Sequence, residues 1–216
     1  GGGVKVVRPD GAQAPGALII DVPKVLVHRL AHAPDSRLVE KSRYGLLPRV
    51  GSDGARPADV YARPAEAAKP PRIALIVDGV GLSDSATATA IDRLPGPVTL
   101  AFAPYGTDLK GKVTQARDAG HEVILQLPME PIDYPQNNPG PHTLRASATV
   151  AENTDDLHWL LGRFTGYTGV ANFLGGKFTS DANALKPVLR EIWQRGLFYI
   201  DDGSSARSIG LATAAE

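Results

Sequence analysis

Short apolar runs alternate along the second two-thirds of the chain with segments of helical character. Residues 73–77 (IALIV) form a continuous apolar run that ends at Asp78. A run with no polar face suits a parallel strand buried on both sides. Ser83 or Asp84 can cap the helix that follows, which is expected to end near Leu94 and Pro95. Residues 98–102 (VTLAF) make the next strand, and a helix from Leu109 to Ala119 stops at Gly120. Residues 122–126 (EVILQ) predict a third strand. The stretch from Leu127 to about Val150 holds Pro128, Pro131, Pro135, Pro139, Pro141, Asn137 and Asn138, so it reads as one long loop. Loops of that length in compact domains are usually functional or disordered. Asn153 or Thr154 is expected to cap a helix reaching Phe164, residues 169–172 to form a fourth strand, Asp181 to cap a helix running to Arg195, and residues 197–200 to form a fifth strand before Asp201 and Asp202. Strands alternating with helices predict an α/β fold with a parallel sheet and right-handed crossovers.

Residues 1–71 differ in character. They are rich in Gly, Pro and Ala, with two short strand-like runs at residues 18–22 and 24–27 and a proline-rich linker over residues 63–71. This segment is expected to be an extended N-terminal arm, and residues 72–216 the α/β domain. The apolar residues of the segment 44–48 (YGLLP) argue against a fully solvated tail.

Composition narrows the function classes. Lys plus Arg total 23 and Asp plus Glu total 23, so the net charge is zero. That balance argues against a nucleic-acid partner. With no cysteine, disulfides, thiolate catalysis and Cys-ligated zinc are excluded. No apolar run approaches the ~18 residues needed to span a membrane. No nucleotide-binding glycine motif follows the first strand, since residues 78–81 (DGVG) are too short and too acidic to cradle a phosphate.

Ligand sites of parallel α/β folds form at the carboxyl ends of strands. Polar residues collect there: Asp78 after the first strand, Gln126 with Glu130 after the third, Asn172 with Lys177 after the fourth, and Asp201, Asp202, Ser204 and Ser205 after the fifth. Helix capping and loop bracing are the plainer roles for Asp202 and Ser204. His121 lies at the opposite end of its strand and is expected to be structural, as is mid-helix His158. His142, in the long loop, is placed to reach the cluster. There is no His-x-x-x-His and no His-Glu-x-x-His, so a histidine-based zinc signature is absent.

Six segments carry a resemblance: residues 73–81 (IALIVDGVG), 98–105 (VTLAFAPY), 120–131 (GHEVILQLPMEP), 134–144 (YPQNNPGPHTL), 166–172 (GYTGVAN) and 199–205 (YIDDGSS). Together they resemble the divergent polysaccharide deacetylases, periplasmic or envelope-associated bacterial relatives of the NodB-type deacetylases. The resemblance implies a parallel (β/α) barrel-like NodB fold. The chain stops after five strands, so the barrel is expected to be incomplete at its C-terminus, through truncation or with a partner over the open edge. The resemblance also implies hydrolysis of acetyl groups on a cell-envelope glycan or other acetylated saccharide, assisted by a divalent metal, zinc in the family. Asp78 matches the family's catalytic base.

The pattern departs from the family elsewhere. Gly79 stands where a metal-binding Asp would be, Gln126 and Glu130 where two His would be, and Phe173 where the divergent family often has His. Asp78 and Glu130 remain as oxygen ligands, with Asp201 or Asp202, and such a set suits Mg²⁺, Ca²⁺ or Mn²⁺ better than zinc. Weak metal binding or none is expected. Two functions follow. One is a metal-assisted deacetylase with Asp78 as base, Glu130 as ligand and Asp201 or Asp202 as acid or orienting group. The other is a catalytically degenerate protein that binds a glycan or an envelope partner through Tyr105, Gln126, Tyr134, Asn138, His142 and Asn172.

Overall fold

The computed structural model describes residues 30–64 and 73–214. A two-stranded antiparallel hairpin comes first, β1 (Val39–Ser42) and β2 (Gly45–Pro48), followed by a short helix, α1 (Pro57–Val60). The runs at 18–22 and 24–27 lie outside the described residues, as does most of the linker. The rest alternates: β3 (Ile76–Val80), α2 (Asp84–Arg93), β4 (Thr99–Phe102), α3 (Leu109–Asp118), β5 (Val123–Met129), α4 (Val150–Leu161), β6 (Gly169–Leu174), α5 (Ala182–Gln194), β7 (Phe198–Ile200) and α6 (Gly210–Ala214). The five strands form one parallel sheet in the order β3-β4-β5-β6-β7. Each strand sits beside its sequence neighbour, the arrangement a barrel requires, and here it makes a partial barrel wall flanked by helices.

Side-chain alternation divides the two faces of that wall. Val123, Leu125, Leu127 and Met129 of β5 join Leu100, Phe102 and Val170 in the main core, against Val113 and Ala116 of α3, Leu157 and Leu160 of α4, and Leu185, Val188 and Ile192 of α5. The opposite face carries Ile124 with Ala101 and Ala171, backed by Phe198 and Ile200. Gln126 follows Ile124 on this inner face, two residues further along β5.

The helix boundaries follow the capping signals. Ser83 caps α2, accepting from the Ala86 amide, and Asp181 caps α5, accepting from the amides of Asn183 and Ala184. The cap of α4 is Thr149, four residues before the expected Asn153. Thr149 and Glu152 form a reciprocal capping box, which satisfies two helix-end donors at once. Asn153 instead bonds both ways with the main chain of Arg145.

Two strand expectations need correction. The run 73–77 is not a buried strand. β3 begins at Ile76 and is the edge of the sheet, and Ile73 is 88 % and Leu75 61 % exposed. A five-residue window reports that both faces are apolar, but not that a neighbour exists on each side. β5 is longer than expected and runs through Pro128 to Met129, although proline argues against a central strand. The reason lies in its neighbours in the sheet. β4 pairs with β5 only as far as Leu125, so no β4 acceptor is left waiting for the donor that Pro128 lacks. Leu144 takes up the place beside β5, donating to the Pro128 carbonyl at 2.9 Å and accepting from Glu130 N at 2.9 Å.

Residues 30–64 pack against the domain. Leu38 and Tyr61 are buried, and Leu47 belongs to the main core. Arg117 of α3 ties the layers together: Nη1 donates to the carbonyls of Tyr61 and Gly166, and Nη2 to that of Ala31. His121 is buried with Nδ1 2.8 Å from the Val98 carbonyl, as a structural histidine should be.

Candidate functional site

The sequence candidates fall into three groups along the rim where the strands finish. The first joins β3 to β5. Gln126 is buried, and its Oε1 accepts from the Gly79 amide at 2.8 Å. The register of β3 slips between Val77 and Val80, and Gly79 sits at φ 66°. That conformation favours glycine, so the residue standing in place of a ligand also suits the bulge that turns its N–H toward Gln126. Gln126 is therefore a positioned acceptor engaged with the main chain. Asp78 is exposed beside it, and its carboxylate forms no hydrogen bond among the described residues.

The second group centres on Glu130. Its side chain is 4 % exposed, with Oε1 2.7 Å from Lys177 Nζ. Oε2 accepts from the Ala146 amide at 2.7 Å. Its carbonyl accepts from the amides of Lys177 and Phe178, both at 3.1 Å. The loops after β5 and β6 thus close on one carboxylate, and an ammonium from the second loop neutralises it. Burying a carboxylate requires such a partner. In β6, Asn172 is likewise 4 % exposed. Its amide donates to the Leu174 carbonyl at 2.8 Å, and its oxygen accepts from Asp202 N at 2.9 Å. It braces the turn after β7 and presents no free edge to a groove. Asp201 accepts from Gly203 N at 3.0 Å and from the Ser208 hydroxyl. Asp202 accepts from Ser204 N at 2.8 Å. Burial, then the charges of Asp201 and Asp202, raise the Tyr199 hydroxyl well above its ordinary value.

The third group brings together Tyr105 and His142 around a residue the sequence reading passed over, Trp159. The His142 ring stacks on the indole with centroids 4.0 Å apart and planes 17° from parallel. Its Nδ1 lies 2.7 Å from Asp156 Oδ1. Tyr105 tilts toward Trp159 at 6.5 Å and donates through its hydroxyl to the Pro141 carbonyl at 2.7 Å. Burial, then the charge of Asp156, raise that hydroxyl well above its ordinary value. Asp156 and Trp159 lie three residues apart on α4, one turn and one face, which was the available signal. Tyr134 and Asn138 stay outside these groups. Tyr134 is half-buried, and Asn138 is exposed and accepts from Gly140 N at 2.9 Å.

The set offers little to a metal ion. Among the described residues no three His, Asp or Glu side chains lie close enough together to hold one. Glu130 has both oxygens engaged, and the Gly79, Gln126 and Phe173 positions supply no charged donor. The residues present do not fit a strongly held cation.

A parallel sheet with sequential strand order, flanked by helices, is that of an α/β protein and is consistent with a partial NodB-like barrel. The profile of the divergent polysaccharide deacetylases matches residues 75–216, and the chain belongs to that family. It is similar to an uncharacterized protein of Agrobacterium tumefaciens C58, ATU2773, whose crystal structure superposes with a TM-score of 0.77 at 48 % identity, covering 79 % of this chain and 70 % of that one. An uncharacterized Haemophilus influenzae protein is 22 % identical over 145 residues, 67 % of this chain and 51 % of its own length. The uncharacterized Escherichia coli protein YibQ is 22 % identical over 130 residues, 60 % of this chain and 40 % of its own length. The chain thus spans about half or less of the curated relatives it matches.

Proposed function

We propose that the protein recognises an acetylated saccharide of the cell envelope at the strand-end rim, and that recognition rather than metal-assisted hydrolysis is its main activity. The observation that carries this reading is the Lys177–Glu130 pair at 2.7 Å. The ammonium stands where a metal would have to approach the family's remaining acidic ligand. What is left suits sugar binding: a positioned amide at Gln126, an unpaired carboxylate at Asp78, and an exposed aromatic ring at Phe173, which is 40 % exposed at the end of a central strand. Family membership supports a carbohydrate ligand.

One observation favours the alternative, metal-assisted deacetylation. Asp78 keeps its carboxylate free at the position of the family base. Calorimetry with zinc and with tetra-N-acetylchitotetraose, together with acetate release, separates the two on wild type and Glu130→Ala. Sugar binding without stoichiometric zinc or acetate release is the expected result. One zinc per chain, lost in Glu130→Ala along with acetate release, would instead establish a hydrolase.

A further inference from the structure

Two histidines of this chain are held by hydrogen bonds in contrasting ways. His121 is buried with both ring nitrogens facing backbone carbonyls, Nδ1 2.8 Å from Val98 O and Nε2 3.3 Å from Ile91 O. His142 is fixed as firmly but uses one nitrogen only. Its Nδ1 faces Asp156 Oδ1 at 2.7 Å. A carboxylate only accepts, so the proton is on Nδ1 and Nε2 carries the lone pair in the neutral ring. Nε2 has no partner among the described residues, and the side chain is 32 % exposed.

The surroundings hold the ring still. His142 sits at φ 59°, a left-handed conformation unfavourable to residues other than glycine. Its loop is closed by the Thr143 hydroxyl on the Gly140 carbonyl at 2.6 Å and the Tyr105 hydroxyl on the Pro141 carbonyl at 2.7 Å. Gly140 leaves no room for a side chain, because a Cβ there would lie 2.6 Å from the Tyr105 ring. Trp159 lies flat against the imidazole, and Arg163 sits over the indole at 4.8 Å, itself bonded to the Pro104 carbonyl. The indole is taken up by protein contacts and serves to hold the imidazole flat. Leu144 follows two residues on and pairs with β5, and Ala146 holds Glu130, so this loop borders the rim already described.

We propose that His142 contacts the bound saccharide through Nε2, accepting a hydrogen bond from a sugar hydroxyl or amide N–H, with Asp156 and Trp159 as positioning residues. This rests on the carbohydrate reading above. The Nδ1–Asp156 bond suffices to brace the loop, and it leaves the partly exposed Nε2 acceptor available to a ligand.

Imidazole nitrogen NMR on the full chain, joined to calorimetry with tetra-N-acetylchitotetraose, tests the proposal. The expected spectrum shows a His142 ring protonated at Nδ1 whose Nε2 resonance moves as the sugar is added. His142→Phe, which keeps a flat ring on Trp159, is expected to weaken binding about tenfold with the melting temperature little changed. Asp156→Asn is expected to mix the tautomers and weaken binding by a smaller factor. Sugar binding that is equal in wild type and His142→Phe, or a ring protonated at Nε2, overturns this inference and leaves the carbohydrate reading standing. No sugar binding by wild type overturns both.

Discussion

At the end of the sheet where the strands begin, buried polar side chains are closed off by backbone carbonyls. Arg117 reaches Tyr61, Gly166 and Ala31, and His121 faces Val98 and Ile91. At the end where the strands finish, main-chain partners are joined by side-chain ones: Lys177 on Glu130, Asp156 on His142. A backbone carbonyl cannot move or titrate, so the first end is fixed architecture. A side-chain partner can be displaced by a ligand, and it leaves atoms such as His142 Nε2 and the Asp78 carboxylate free. The difference separates residues that hold the fold from residues that can act.

Substitutions at the two ends should therefore divide between stability and binding. The largest stability effect is expected for Arg117→Met. It strands the buried carbonyls of Tyr61 and Gly166 and removes the link between residues 30–64 and α3. A loss of about 3 kcal/mol is expected in urea unfolding, with sugar binding by the folded protein unchanged. Impaired binding at full stability would break the contrast.

Lys177→Met comes next. It leaves the Glu130 carboxylate buried without a cation. Because the Lys177 side chain is 49 % exposed, the cost should be about 2 kcal/mol, below that of a fully buried pair. Zinc affinity is expected to rise, measured by calorimetry, since a carboxylate oxygen is released. Unchanged zinc affinity would mean that Lys177 does not control that position.

Gln126→Ala removes the acceptor that holds Gly79 N and should cost about 1–2 kcal/mol in stability. It is also expected to weaken sugar binding, because the turn carrying Asp78 is freed.

The smallest effect concerns acid. Asp155 is held below the ordinary carboxylate value by the Tyr44 hydroxyl and then by Arg43. Burial pushes Glu191 up, but the bond from His158 and the charge of Arg195 outweigh it, and the net shift is downward. A carboxylate whose folded pKa is depressed contributes stability above its unfolded value and loses it as pH falls through the folded value. Both residues lie under the hairpin, Asp155 bonded to Tyr44 and Glu191 to Arg195, which also reaches Glu40 and the Pro48 carbonyl. Amide exchange in residues 39–48 is therefore expected to quicken below pH about 4, ahead of the main sheet. Equal protection in hairpin and sheet at that pH would count against this.

The elements of the sheet were largely legible in the chain, because apolar runs and capping residues act over a few neighbours. Ser83 and Asp181 cap the helices their positions indicate. Local rules failed where a distant segment decided the outcome. The run 73–77 looks like any buried strand until the strand order makes β3 an edge. Pro128 looks like a strand breaker until Leu144 supplies the neighbouring main chain. The cap of α4 is Thr149 because Glu152 accepts a bond from its amide, while Arg145 engages Asn153.

The candidate site divides in the same way. Family motifs brought out Asp78, Gln126, Glu130 and His142, since their residue types and positions are carried in short stretches of sequence. What each side chain meets is not. That Lys177 neutralises Glu130, that Asn172 braces Asp202, and that Asp156 and Trp159 fix His142 depend on segments 14 to 47 residues apart. The sequence by itself determined the alternating elements, the family and the chemical inventory, because these rest on local periodicity and residue identity. Only the tertiary structure decided which strand is an edge, which polar atoms are satisfied and which remain free, because burial and hydrogen-bond partnership are properties of neighbours in space.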